Sequence, residues 1–402
     1  MAALSAGHLF TDVSQGSIPA LLPFLIAREH LSYTSASALI LAATISSSVI
    51  QPLFGHLSDR RSLPGLMPIG PVLGGIGVGL VGIAPSYGWI FAAVVLSGLG
   101  VAAFHPEGSR FANYVSGSRR SSGMSLFSVG GNIGFALGPI LITPLVLAFG
   151  LHGTLLVIVP TALMGALLAR ELPRLKTFRS APARLPANAT TTDAWRPFTL
   201  LAVVIALRSF VYFGMVTFIP LYYVRDLHTG TALGGAALSV MLVGGAAGTL
   251  IGGRLADRFG RRAVLQGSML VLPPLLVGFL VSGPVVGLVF AALAGAATIA
   301  TFAVTIVMGQ EYLPGRIGIA SGVTIGLSIG LGGVGAPLLG LLADTSGLRA
   351  VFELIAVFPL LALGLARLLP VPSAAVTSRG RKTGSARRPG PAAAPAPPAG
   401  SG

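Results

Sequence analysis

Stretches of about 18 or more mostly apolar residues follow one another from the first residues of this chain to position 369, and this recurrence limits the fold more than any other feature. A helix of about 20 such residues crosses the roughly 30 Å of hydrocarbon in a bilayer. With 53% apolar and only 9% charged residues among 402, the chain lacks the polar material to cover a soluble globule. Twelve spans fit, at 5–28, 34–57, 66–84, 88–114, 121–148, 152–170, 197–224, 232–257, 263–281, 285–312, 317–344 and 348–369. The expected fold class is an all-α membrane protein with twelve transmembrane helices. The first span starts almost at Met1, is too long for a signal-peptide core and lacks a cleavage pattern, so it reads as a retained helix. The absence of cysteine excludes disulfides, thiolate chemistry and Cys-based metal sites.

A net charge of +15 invites a nucleic-acid reading, but the charge follows the loops. Of the 26 basic residues, 21 fall on one side if the even-numbered connections and both ends share it. Arg28, Arg225 and Arg349 fall on the other, and Arg110 and Arg208 lie inside spans. The positive-inside rule then puts both termini in the cytoplasm of a cell whose inner membrane the chain crosses many times. The expected partners are lipid bilayer, protons and a small molecule, with no nucleic acid, no cofactor and a monomeric state. Beyond position 370 the chain turns to Pro, Ala, Gly and Ser with Arg381, Lys382, Arg387 and Arg388, which cannot bury a core. Residues 370–402 therefore read as a disordered cytoplasmic tail whose basic residues suit anionic lipid.

The chain also repeats itself. Gly55-His56-Leu57-Ser58-Asp59-Arg60 returns as Gly253-Arg254-Leu255-Ala256-Asp257-Arg258, an offset of 198 from Gly55 to Gly253. Phe104 and Tyr114 against Phe302 and Tyr312, and Pro139 against Pro337, keep the same offset. Two parallel six-helix units follow, 1–170 and 197–369, joined by a polar cytoplasmic linker at 171–196. Transporters of that architecture hold substrate near the midplane between the halves.

Charge inside the spans marks the candidate site, because an ionised group at mid-bilayer costs roughly 3 kcal/mol and faces a wet cavity or a partner. His8, Asp12, Gln15 and Pro19 share one face of the first span. Asp12 is able to carry a proton, and His8 either partners it or sits at the interface. In the fourth span, His105-Pro106-Glu107 precedes Arg110, with Glu107 and Arg110 at i and i+3. That group is either a protonation and anion site or an internal ion pair. Arg208 and Tyr212 stand near the repeat counterpart of Asp12. Arg208 meets a carboxylate of the other half, contacts a substrate anion, or snorkels to the interface. Asn132 follows Gly130-Gly131 in the fifth span, where glycines four apart also suit close helix packing. Glu311 lies at the cytoplasmic end of the tenth span, as a gate or interfacial pair.

Gly253 to Leu265 resembles the full loop signature of the major facilitator superfamily: Gly, any, Leu-Ala-Asp-Arg, any, Gly-Arg-Arg, two of any, Leu. The first copy departs from it after Arg60. Gly7-His8 with Asp12 and Gln15-Gly16, the run from Phe104 to Arg110, and Gly130 to Pro139 together resemble the fosmidomycin resistance protein family of drug efflux pumps. Val95 stands where the superfamily's antiporters carry an arginine, a role Arg110 is positioned to take over. The resemblance implies a proton-coupled secondary transporter that exports a small anion by alternating access. Its protonation residues are then Asp12, Glu107, His105 and His8, and its substrate contacts Arg110, Arg208, Gln15, Asn132 and Tyr212. Asp59, Arg60, Asp257, Arg258, Arg261 and Glu311 form gates, or the loop charges serve topology alone. Proton-coupled uptake of an organic anion is the alternative direction. A membrane enzyme using His105 and Glu107 as acid and base lacks further partners in the sequence, and no Gly-Lys-Ser/Thr loop is present for ATP.

Overall fold

The computed structural model describes residues 1–50, 54, 63–117, 120–178 and 193–370. The loop bearing Asp59 and Arg60, most of the expected linker and the tail from 371 onward lie outside the described residues. Among the described residues the secondary structure is helical, without strands. We number the helices along the chain: α1 Ala2–Glu29, α2 Tyr33–Thr44 continuing through a π turn at Ile45–Val49, α3 Leu66–Val81, α4 Tyr87–Ser116, α5 Arg120–Phe149 and α6 Ile158–Leu175. Then follow α7 Trp195–Arg225, α8 Thr231–Phe259 and α9 Arg261–Val281. Next come α10 in two segments, Pro284–Ala300 and Phe302–Tyr312, and α11 as Ile317–Gly326, a π turn Leu327–Leu331 and Gly332–Ser346. The series closes with α12, Leu348–Arg367.

Among the described residues, nine helices are long and apolar enough to cross a membrane. One of them, Gly123–Leu175, runs 53 residues through a 3-10 stretch at Gly150–Val157. At 1.5 Å per residue that is about 80 Å, enough for the two crossings the sequence reading assigns to it. The fifth and sixth spans thus meet without a polar loop, and α6 continues past its expected end at 170 to Leu175. Three breaks have no counterpart in the apolar pattern, at the π turn of α2, at Thr301 within α10 and at the π turn of α11.

Burial separates core helices from the lipid-facing shell. In α1, 72% of the best apolar window is buried within the protein, against 33% for Pro284–Tyr312. The large apolar residues of the shell, such as Leu163 and Val285, are exposed, as lipid contact requires. Helix α1 packs most extensively on α5 and also touches α4, α3, α6, α2, α7 and α8. Its fit to α5 is a close backbone approach. A Cβ added at Gly130 or Gly134 would stand 2.3 Å from Ser5 O or 2.1 Å from Leu9 O. Glycines four apart in the fifth span thus serve close helix packing here. Contacts between the first six helices and the rest run through α2 with α11, α5 with α8, and α1 with α7 and α8.

Candidate functional site

The polar face of α1 meets α4 and α5 in one cluster. His8 is pinned from α5: its Nδ1 lies 2.8 Å from Phe127 O, and its ring stacks on Phe127 with centroids 4.2 Å apart. His105 is pinned by its own helix, with Nδ1 2.8 Å from Val101 O. A carbonyl only accepts, so both Nδ1 atoms carry hydrogen and both Nε2 atoms turn inward. They stand 3.1 Å apart. His8 Nε2 lies 3.3 Å from Asp12 Oδ2, and His105 Nε2 lies 3.5 Å from Asp12 Oδ1. With both rings neutral, three acceptors would face one another with nothing between them, so the geometry calls for at least one shared proton. The three ligand atoms lie within 4.8 Å of one another, a spacing that could also admit a divalent ion.

The wall behind this cluster is Gly131 of α5. A Cβ there would sit 2.4 Å from His8 Nε2 and 2.7 Å from Asp12 Oδ2. Only glycine leaves room for both groups. Gln15 and Asn132 are half-buried nearby in the chain, and neither side chain has a hydrogen bond among the described residues.

Glu107 is not a member of the cluster. Its side chain is fully buried, Oε1 accepts from Leu63 N at 3.0 Å, and Arg110 Nη1 lies 3.5 Å away. Glu107 thus ties α4 to the segment that leads into α3. The expectation that His105 and Glu107 act together divides here, since only His105 reaches Asp12.

In the second run of six helices a cation stands near the repeat counterpart of Asp12. Arg208 of α7 is 4% exposed. Its Nη1 donates to Thr301 Oγ1 at 3.3 Å and its Nη2 to Ser328 Oγ at 2.9 Å, while the guanidinium lies over the Phe302 ring at 5.5 Å. Both hydroxyls give their own hydrogens to helix carbonyls, Thr301 to Thr298 O and Ser328 to Thr324 O, so they can only accept from Arg208. Among the described residues no carboxylate pairs with it. At this burial Arg208 does not reach the interface, and among the described residues its partners are hydroxyls. Thr301 and Ser328 sit at the two helix breaks of α10 and α11, and no sequence signal singles them out from other Ser and Thr. Tyr212 stands one turn along α7 from Arg208, edge-on to the ring of Phe213.

At the end of the bundle that carries Met1 and Arg367, Arg261 pairs with Glu311. Arg316 pairs with Asp193 at 3.2 Å, and Arg262 donates to Arg367 O at 2.6 Å. Asp257 is exposed with no ion pair among the described residues, and Arg258 packs over Phe259. Of the charged residues the sequence assigns to gates, Arg261 and Glu311 form an ion pair with each other at this end. At the opposite end, Arg28 donates to Gly82 O and Ala84 O, and Asp344 meets the start of α2. Neither contact is marked in the sequence, since each joins residues more than 50 positions apart.

A polytopic helical bundle with buried charges on its central helices is the architecture of a membrane transporter. The family comparison makes this specific: the model of the Major Facilitator Superfamily matches residues 4–324 and 201–398, and the chain belongs to that family. It is 34% identical over 371 residues to an uncharacterized MFS-type transporter of Bacillus subtilis, covering 90% of each chain. To the fosmidomycin resistance protein of Escherichia coli it is 33% identical over 377 residues, covering 90% of this chain and 91% of that one. Among solved structures, a bacterial homologue of the lysosomal transporter Spinster, inward-facing and occupied, superposes with TM-score 0.74 at 16% identity, covering 92% of this chain and 95% of that one. The transporter FucP in its outward conformation gives 0.62 at 17% identity, covering 92% and 98%. The chain is a multi-pass membrane transporter with the major facilitator fold, and not an enzyme.

Proposed function

We propose that this chain is a proton-coupled exporter of small, multi-oxygen anions, with fosmidomycin-like phosphonates as the substrate class, working by alternating access in the inner membrane. The observation that carries it is Arg208. A buried guanidinium held by two neutral hydroxyls keeps its charge uncompensated and most of its five N–H donors unspent, so a planar fork is ready for a bidentate oxyanion. Both features favour a phosphonate over a cation, which would meet like charge. Export, rather than uptake, is supported by the 33% identity to a protein named for fosmidomycin resistance.

The proton in this reading sits among His8, Asp12 and His105, where convergent acceptors demand one, and Tyr212, one helical turn from Arg208, is a further contact for the substrate. Antiport needs substrate and proton to compete, which follows if a donor group of the substrate replaces the shared proton at Asp12. Gln15 and Asn132, whose side chains have no partner among the described residues, are available to the same substrate. Glu107 with Arg110 fastens α4 to the approach of α3 in place of a coupling role, and Arg261 with Glu311 closes the cytoplasmic end. The two halves, 1–170 and 197–369, then rock about this site as a monomer with both termini in the cytoplasm.

Susceptibility of a pump-deficient host tests the reading. With the chain expressed, resistance to fosmidomycin should rise, Arg208→Gln should abolish the rise at equal protein level, and resistance to a lipophilic cation should be unchanged. Protection against the cation alone contradicts the assignment.

A further inference from the structure

The carboxylate of Asp344, in the last turn of α11, serves none of the roles assigned so far. It meets the start of α2, some 310 residues away in sequence. Helix α2 opens with Ser32 as its N-cap, accepting from Ser35 N, and its first N–H groups have no acceptor in their own helix. Asp344 supplies the acceptors: Oδ1 takes Tyr33 N at 2.7 Å, and Oδ2 takes Thr34 N at 2.9 Å and the Thr34 hydroxyl at 2.6 Å. A negative charge on the positive end of a helix adds an electrostatic share to these bonds.

Beneath this cap the two helices touch backbone to side chain. A Cβ at Gly340 would lie 2.3 Å from Ser37 Oγ, and one at Gly333 would lie 2.7 Å from Thr44 Cβ. The π turns of α2 and α11 then meet further in. Helices α5 and α8 form the related seam, where Gly235 faces Thr143. By the repeat offset, the counterpart of Asp344 there is Val146, which offers no acceptor. The cap is therefore confined to one seam.

We propose that Asp344 is a gating residue, the latch that holds α2 against α11 at the end of the bundle away from the termini and sets how readily that end opens. The inference rests on alternate opening of the two ends and on neither the substrate nor the proton site. All three bonds are short-ranged and end together once the helices part by a few ångströms. Asp344 is exposed, so water can replace Tyr33 and Thr34 as its partners. A carboxylate buried at that place would weld the seam, whereas an exposed one fastens it reversibly.

The chain has no cysteine, so a single introduced thiol reports on the seam without background. Ser37 is wholly buried there, and Ser37→Cys is nearly isosteric. In vesicles carrying the full-length protein, the rate at which a membrane-impermeant maleimide labels this thiol from the outer face measures opening. Adding Asp344→Ala should raise the rate about tenfold, the loss of one cap's worth of stabilisation. Asp344→Asn, which keeps an acceptor and loses the charge, should fall between. Thr34→Val, on the other helix, should give about a twofold rise. An unchanged rate in Asp344→Ala at normal protein level overturns the proposal. If that variant fails to accumulate, unchanged rates in both Asp344→Asn and Thr34→Val overturn it equally.

Discussion

Replacing Gly131 with alanine adds one methyl group at the wall of the proton cluster, and the structure sets what must give way. The new Cβ would lie 2.4 Å from His8 Nε2 and 2.7 Å from Asp12 Oδ2. Ordinary contact needs about 3.5 Å, so the imidazole edge must retreat by roughly 1 Å. A free side chain would swing away at little cost, but His8 is held by its bond to Phe127 O and its stack on Phe127, both on the same helix as Gly131. Retreat therefore breaks either that bond or the 3.3 Å contact to Asp12. A hydrogen bond to a charged group contributes about 1.5–3 kcal/mol, so proton-driven flux should fall by about 10- to 100-fold. Flux per molecule, measured in vesicles with a pH gradient and normalised to protein amount, reads this directly. Gly364→Ala, where a Cβ would meet nothing within 4 Å, should leave flux and amount unaltered and serves as the control. Normal flux and pH response in Gly131→Ala would refute the assignment of the cluster.

Arg261→Ala and Glu311→Gln should each alter flux, and the double variant should be no worse than either alone, because the two remove the same tie; additive losses in a double-mutant cycle contradict this. Asp257→Asn should leave protein amount and flux within about twofold, since Asp257 has no ion pair among the described residues, and a large loss of flux would return it to the gate. Glu107→Gln should retain pH-driven accumulation while Glu107→Ala lowers the amount of folded protein through loss of the acceptor for Leu63 N, as membrane protein content and flux together will show. Ser328→Ala should raise the substrate KM several-fold by releasing one arm of Arg208, with Ser328→Thr restoring part of it.

The broad architecture was legible because lipid imposes it: an apolar run of the right length is a span whatever its neighbours do. The stripe of His8 and Asp12 was equally readable, since 3.6-residue periodicity places i and i+4 together. The choice between His105 and Glu107 was not. Two residues apart on a helix they point about 200° from each other, and only the packing of α4 against α1 decides which faces Asp12. Thr301 and Ser328 stayed hidden for a different reason. Hydroxyls are abundant in this chain, and their role depends on helix breaks that leave no mark in hydropathy. Asp344 carried no signal in the sequence because its partner lies on a helix more than 300 residues away.

The claim that the transported anion is coupled to a proton held by His8, Asp12 and His105 is tested most directly by Asp12→Asn in sealed vesicles, with a radiolabelled phosphonate and an imposed pH gradient. The account predicts that the variant still exchanges substrate between equilibrated compartments but no longer accumulates it against its concentration when the gradient is applied. Accumulation at the unmodified protein's level in Asp12→Asn would contradict it.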